Sequence, residues 1–166
     1  ISLDNLDEPS HFTIAKMGDH VNDLREDIRN SKQLEKLILD IEPDYIFHLA
    51  AQSIVRKSYD DPLLTWSTNV MGTINVLESL RKLSKKCNAV IITSDKCYDN
   101  VEWVWGYRET DAMGGPDPYS ASKGAAELAI KSYIKSYFPK NSSSVRVASS
   151  RAGNVIGGGD WAPDRI

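Results

Sequence analysis

Asp44-Tyr45-Ile46-Phe47-His48-Leu49-Ala50 is the stretch that decides the fold. It is short, largely apolar and preceded by Pro43, and such a run reads as a buried strand. Ala89-Val90-Ile91-Ile92-Thr93 is a second continuous apolar run. Ser144 to Ser150, with Val145 and Val147, is a third. Helical patterns separate them. Asn30 or Ser31 caps a helix through about Ile41, with Leu34, Leu37, Ile38 and Ile41 on one face, and Pro43 breaks it. Asp61-Pro62 opens a long helical segment to about Leu83. Proline suits a first helical position because its missing N–H would be an orphan there. Pro118 precedes another helix, from Tyr119 to about Phe138, stopped by Pro139. Val21 to Asp27 is expected to hold a short strand ending near Asp27, and Ile1 to Leu3 the tail of another. Near-continuous apolar strands separated by helices predict an α/β fold, a doubly wound parallel sheet covered on both faces. In such sheets ligands sit beyond the carboxyl ends of the strands, here after Leu49, Thr93 and Ser150.

The 166 residues fit one domain, 1–166. Hydrophobic residues make up 41%, enough for a core that needs neither disulfide nor metal. A formal net charge of -3 leaves no electrostatic footprint for nucleic acid or an anionic membrane. A phosphate-bearing ligand must therefore be held by local donors. Cys87 and Cys97 form no CxxC, and no histidine stands near them at ligand spacing, so no metal site is expected. They read as reduced thiols of a cytoplasmic protein. No apolar stretch reaches membrane-spanning length. The chain starts without methionine or a signal-peptide pattern and ends at Asp164-Arg165-Ile166 without a stop signal, so both ends are expected to be cut from a longer chain.

The candidate chemistry gathers at the predicted strand ends. Tyr119 and Lys123 are four apart, on one face of a helix. A free tyrosine titrates at about pH 10, and an adjacent ammonium favours its phenolate, which makes a general base. An accidental pair is the alternative. Its place after Gly114-Gly115-Pro116-Asp117-Pro118, in a chain that reads as α/β, favours the functional reading. Thr93-Ser94-Asp95-Lys96 ends the second apolar strand; it reads as an active-site cluster or as a solvated turn. Leu49-Ala50-Ala51-Gln52 offers small residues that let a ligand approach the backbone, or that pack on a helix. Asp27-Ile28 holds an acceptor for an adenine amino group, or a helix cap. The glycines of Arg151-Ala152-Gly153-Asn154-Val155-Ile156-Gly157-Gly158-Gly159-Asp160-Trp161 allow a tight loop with exposed N–H groups, or a surface turn; no GK[ST] follows.

Taken together, these residues resemble the extended short-chain dehydrogenase/reductases, the NAD-dependent epimerase/dehydratase family. The order is strand-HLAA, Asn69 in the next helix, strand-TSD, YxxxK, then RxxN. The nearer resemblance is to members that dehydrate a cytidine-diphosphate glucose. It rests on His48 to Gln52, Thr68 to Thr73, Thr93 to Tyr98, Glu102 to Glu109 and Arg151 to Trp161. The resemblance implies a Rossmann-like fold missing its first β-α unit, because no GxxGxxG lies ahead of Asp27, and a sugar-nucleotide part mostly beyond Ile166. It implies NAD as cofactor, contacted by Asp27, Ile28, Leu49, Ala50, Ala51, Thr68, Tyr119 and Lys123. It implies a nucleotide-sugar substrate, contacted by Gln52, Asn154 and Arg165. As catalytic groups it implies Ser94, Asp95, Lys96, Tyr119 and Lys123: Tyr119 takes the 4-hydroxyl proton, Ser94 polarises the 4-oxygen, and Asp95 protonates the departing 6-hydroxyl.

Thymidine-diphosphate sugar dehydratases carry glutamate where this chain has Lys96. Lys96 is expected to act as a neutral base for carbon 5, its pKa lowered by burial, or to remain charged and stabilise the enolate. The resemblance also implies a homodimer or homotetramer of the full-length protein, through the helices Asp61–Leu83 and Tyr119–Phe138. The alternatives are a nucleotide-sugar epimerase, a non-catalytic NAD-binding protein, and a scaffold that binds partners through Trp66, Trp103, Trp105 and Trp161. Asp95-Lys96 speaks against an epimerase, and the Ser94, Tyr119, Lys123 set against a pure binding module. The tryptophans are expected to line or cover a pocket, and His11, His20 and His48 to be structural or surface residues.

Overall fold

Three parallel strands order the chain in the computed structural model, which describes residues 11–139 and 143–156. They are β1 (Tyr45–His48), β2 (Cys87–Ser94) and β3 (Val145–Ala152), in the order β1-β2-β3. The register pairs Tyr45 with Asn88, and Cys87 with Val145. The helices are α1 (His11–Ile14), α2 (Ser31–Ile41), α3 (Val55–Asp60), α4 (Pro62–Trp66), α5 (Thr73–Arg81) and α6 (Pro118–Ser136). A π-helical segment, Ser67–Gly72, joins α4 to α5, so the predicted long helix from Pro62 is real but wound more loosely at its middle. No described helix is long and apolar enough to cross a membrane.

The chain divides into two units, 28–153 and 1–27 with 154–166. The smaller holds α1, a short 3-10 turn at Met17–Asp19 and an Arg25–Asp23 ion pair at 2.8 Å. Its residues Val21 to Asp27 form no strand, which corrects the expectation: a strand exists through its ladder, and no described segment pairs with this one. The predicted strand tail at 1–3 lies outside the described residues.

In the larger unit, local signals set the helix ends. Asn30 caps α2 by accepting from the Gln33 N–H at 3.4 Å, and Glu42 stops it in the left-handed conformation, φ 47°. Asp61 and Asp117 cap α4 and α6, each just before a proline, accepting from Leu64 N–H and Ser120 N–H at 2.9 Å. One core joins Leu34 and Ile38 of α2, Val76, Leu77 and Leu80 of α5 and Ile130 of α6 to Cys87, Ala89, Ile91 and Val145 of the sheet. Each fully buried aliphatic side chain contributes about 1.5–3 kcal/mol.

Two expectations about burial need correcting. Ile41 is exposed, and Leu39 packs on the core in its place. The sheet is covered on one face only within this unit. Ile46, Ala89 and Val147 face the helices, whereas Tyr45, Phe47 and Leu49 are about two-thirds exposed. Alternation along a strand puts these three on the opposite side. Their apolar character is what made β1 read as buried on both faces. Helix α3 was not legible, since Val55 to Asp60 carries a single aliphatic residue.

Candidate active site

Strand β2 delivers the first group of side chains. Its last residue, Ser94, is buried and starts a 3-10 turn, Asp95–Cys97. The Ser94 hydroxyl donates to Asp95 Oδ1 at 3.1 Å and accepts from the Lys96 N–H at 3.2 Å. Asp95 and Lys96 therefore project from a braced turn with exposed side chains.

Helix α6 delivers the second group, and the 3-10 turn packs against it. Tyr119 and Lys123 are both buried, with Lys123 Nζ 5.9 Å from the centre of the Tyr119 ring. Burial pushes the Lys123 ammonium down to about 8, against a smaller upward pull from Cys97. The sequence spacing put this pair on one helix face, and the fold packs that helix against the Asp95–Cys97 turn at the carboxyl end of β2.

A third group fixes the loop after β1. Gln52 N–H donates to Asn69 Oδ1 at 2.8 Å, and Asn69 Nδ2 donates to Gln52 O at 3.0 Å and to Ser122 Oγ at 2.9 Å. Ser122 in turn donates to Tyr119 O at 2.7 Å. Asn69 thus ties Leu49-Ala50-Ala51-Gln52 to the helix that carries Tyr119. It sits in the π-helical segment, where the widened turn re-aims a side chain. The Gln52 side chain is buried and braces the loop, donating to Thr65 Oγ1 at 2.8 Å and accepting from Ile54 N–H at 2.7 Å. His48 is structural, as expected. Its Nε2 lies 3.2 Å from Thr73 Oγ1, whose own proton goes to Asn69 O at 2.7 Å. Nε2 is therefore the protonated nitrogen, and burial first, then Lys123, lowers the ring's pKa to about 4.

The other predicted residues fall as follows. Thr68 is buried in the π-helical segment, and Ala50 and Ala51 are half-buried. Ile28 is a core residue whose carbonyl accepts from Asn75 Nδ2 at 2.9 Å. Asp27 and Asn154 belong to the smaller unit, and Arg165, like Trp161 and the glycine run from Gly157, lies outside the described residues. His20 is exposed. Cys87 and Cys97 are free and buried, as the sequence suggested, and burial raises both thiols, Cys97 to about 11.

Between the 3-10 turn and α6 runs an aromatic insert. Its base is closed by Gly114 N–H donating to Cys97 O at 2.8 Å and Asp99 N–H to Ala112 O at 2.9 Å. Tyr98 stacks on Tyr107, and Trp103 leans on Tyr107, with ring centres 5.2 and 5.5 Å apart. Trp105 is 75% exposed, and Trp66 ends α4. The close approach of this insert to α6 requires Gly124. A Cβ there would lie 2.9 Å from Gly114 N and 3.1 Å from Cys97 O, both backbone atoms. Gly124→Ala is expected to destabilise the protein by up to about 2 kcal/mol in urea unfolding, because an overpacking cost of about 1–3 is set against a helix-propensity gain of about 1.

A parallel sheet with a buried Tyr-Lys pair on the helix after the Ser-Asp-Lys strand end defines an extended short-chain dehydrogenase/reductase. A family model described as GDP-mannose 4,6 dehydratase matches residues 2–147, and the chain belongs to that family. It is 51% identical, over 99% of its length, to CDP-glucose 4,6-dehydratase of Salmonella typhimurium, of which it covers 47%. Among solved structures it resembles RMD from Pseudomonas aeruginosa complexed with NADPH, with TM-score 0.69, 29% identity and coverage of 82% of this chain and 45% of that one. It also resembles the UDP-glucose 4-epimerase of Thermus thermophilus in complex with NAD, with TM-score 0.65, 29% identity and coverage of 76% and 39%. The chain thus spans less than half the length of these relatives.

Proposed function

We propose that the protein carrying this chain is an NAD-dependent hydro-lyase that converts CDP-glucose to its 4-keto-6-deoxy product. One observation carries the reading: the buried Tyr119–Lys123 pair lies on α6, the helix against which the Asp95–Cys97 turn after Ser94 packs. The relative at 51% identity acts on CDP-glucose by its name, which supports the choice of substrate. The residues fit a dinucleotide. Ala50 and Ala51 leave the end of β1 open to close approach, and the ammonium of buried Lys123 is a donor suited to ribose hydroxyls. Leu49, Ala50, Ala51, Thr68, Tyr119 and Lys123 would hold it, and Asp27 and Ile28 are assigned to the same dinucleotide from their place in the sequence. Bound NAD supplies an acceptor for hydrogen from sugar carbon 4, returned later at carbon 6.

Tyr119 removes the 4-hydroxyl proton while Ser94 donates a hydrogen bond to the same oxygen. The resulting ketone acidifies the proton on carbon 5. Asp95 protonates the 6-hydroxyl, which leaves as water. Lys96, exposed on the same turn, takes the proton from carbon 5 as the water leaves, so acid and base together complete the elimination. Gln52, Asn154 and Arg165 are assigned to the sugar nucleotide. The full-length protein is read as a cytoplasmic homodimer or homotetramer built on the helical stretches Asp61–Leu83 and Tyr119–Phe138.

The test uses the full-length protein with NAD and CDP-, dTDP-, GDP- and UDP-glucose in deuterated water. Product absorbing in alkali from CDP-glucose, deuterated at carbon 5, is expected. Product from another nucleotide would overturn the substrate. A 4-epimer without loss of water would establish the epimerase instead.

A further inference from the structure

Glu127 is an acid with no part in the chemistry above, and it is almost completely buried at 4% exposure. It lies on α6 one turn beyond Lys123, continuing the stride Tyr119, Lys123, Glu127. A carboxylate so placed must be paired. Thr93 donates to its Oε1 at 2.5 Å, and Ser149 and Arg151 donate to its Oε2 at 3.2 and 3.0 Å. The Arg151 fork then reaches the other way. Its NH1 donates to the Tyr98 hydroxyl at 2.8 Å and to Glu109 O at 3.3 Å, and the guanidinium carbon is 4.9 Å from the centre of the Tyr98 ring. Burial opposes the charge, but the Glu127 and Tyr98 hydrogen bonds outweigh it and hold the guanidinium above its usual pKa.

Tyr98 is the residue at which the Asp95–Cys97 turn closes, its N–H donating to Asp95 O at 3.2 Å. Asp95 and Lys96 have exposed side chains, so their direction is set by the backbone of that turn. Three elements meet on one guanidinium: α6, the catalytic turn and the aromatic insert. The Tyr98–Met113 bridge and the Tyr98–Tyr107 stack carry the same fixed point into the insert. We infer that Arg151, oriented by Glu127, is a positioning residue: through Tyr98 it aims Asp95 and Lys96 toward the substrate that Tyr119 engages. Its consequence for turnover rests on the dehydration reading; its structural half does not.

Arg151→Lys keeps the charge and loses the two-way fork. Tyr98→Phe keeps the ring and loses only the hydroxyl, so it tests the same link with little risk to folding. In the full-length protein, amide hydrogen exchange at Lys96 and Tyr98 is expected to rise about tenfold in both variants, with the Ile91 amide of β2 unchanged. In single turnovers the reduced cofactor should form at the normal rate. Loss of water should then lag by about tenfold to a hundredfold, the size of effect expected when a reacting group is held slightly out of place. Unchanged exchange at Lys96 and Tyr98 overturns the inference. So does a rise shared equally by Ile91, which would mark a general structural role, or an equal slowing of oxidation and dehydration. Should the unaltered protein form no product from any nucleotide sugar, the proposed function falls, and hydrogen exchange still decides the positioning.

Discussion

Tyr119→Phe in the full-length protein is expected to lower turnover of CDP-glucose by about a hundredfold to ten-thousandfold, the usual worth of a positioned general base. The substitution removes one oxygen from a buried ring at the second position of α6, and the cap that starts that helix is untouched. Asp117 still accepts from the Ser120 N–H at 2.9 Å and from its hydroxyl at 2.6 Å. Ser122 still donates to the Tyr119 carbonyl, a backbone atom. The fold is therefore expected to survive. Affinity for NAD, read by fluorescence titration, should stay within severalfold, because Lys123 and the Ala50-Ala51 end of β1 remain. The loss should appear in kcat and kcat/KM together, as for a group that acts only in the transition state. Retention of more than a tenth of the activity would move the base elsewhere.

What was legible in the sequence is what apolar periodicity and local chemistry encode. The strands Cys87–Ser94 and Val145–Ala152, and the capped starts of α2, α4 and α6, follow from short-range patterns. The Tyr119–Lys123 stride is equally local. The exposed face of β1 was not legible, because an apolar strand reads the same whether its second face is covered or bare. Nor was the Asn69 brace, which depends on a π-helical widening that no residue pattern in Ser67 to Gly72 announces. Glu127 had a signal that could have found it: an acid four residues past the lysine, on the same helix face. Its partner Arg151 was visible only as the first letter of a motif. Their contact spans 24 residues and requires the register of β3 against β2.

Lys123→Met is expected to make the protein more stable while removing its function. A fall from the usual 10.5 to about 8 corresponds to roughly 3 kcal/mol of strain in keeping a buried ammonium. The sign follows from proton binding. Between pH 8 and 10.5 the unfolded lysine holds a proton that the folded one has lost, so the unaltered protein gains stability as pH rises through that window. Below pH 8 both forms are charged and the full penalty applies. Methionine has similar reach and no charge, so the variant escapes the penalty at every pH. Urea unfolding of the cofactor-free full-length protein at pH 7.5 should therefore favour Lys123→Met by up to about 3 kcal/mol, worth several degrees in thermal midpoint. The gap should close as pH approaches about 10.5. At the same time the variant should lose NAD affinity and turnover, since the group that favours the Tyr119 phenolate is gone. A stability difference that does not change with pH would mean that packing, and not a buried charge, separates the two proteins. A less stable variant at pH 7.5 would mean that Lys123 is a structural residue, and the desolvated pair would no longer mark a catalytic centre.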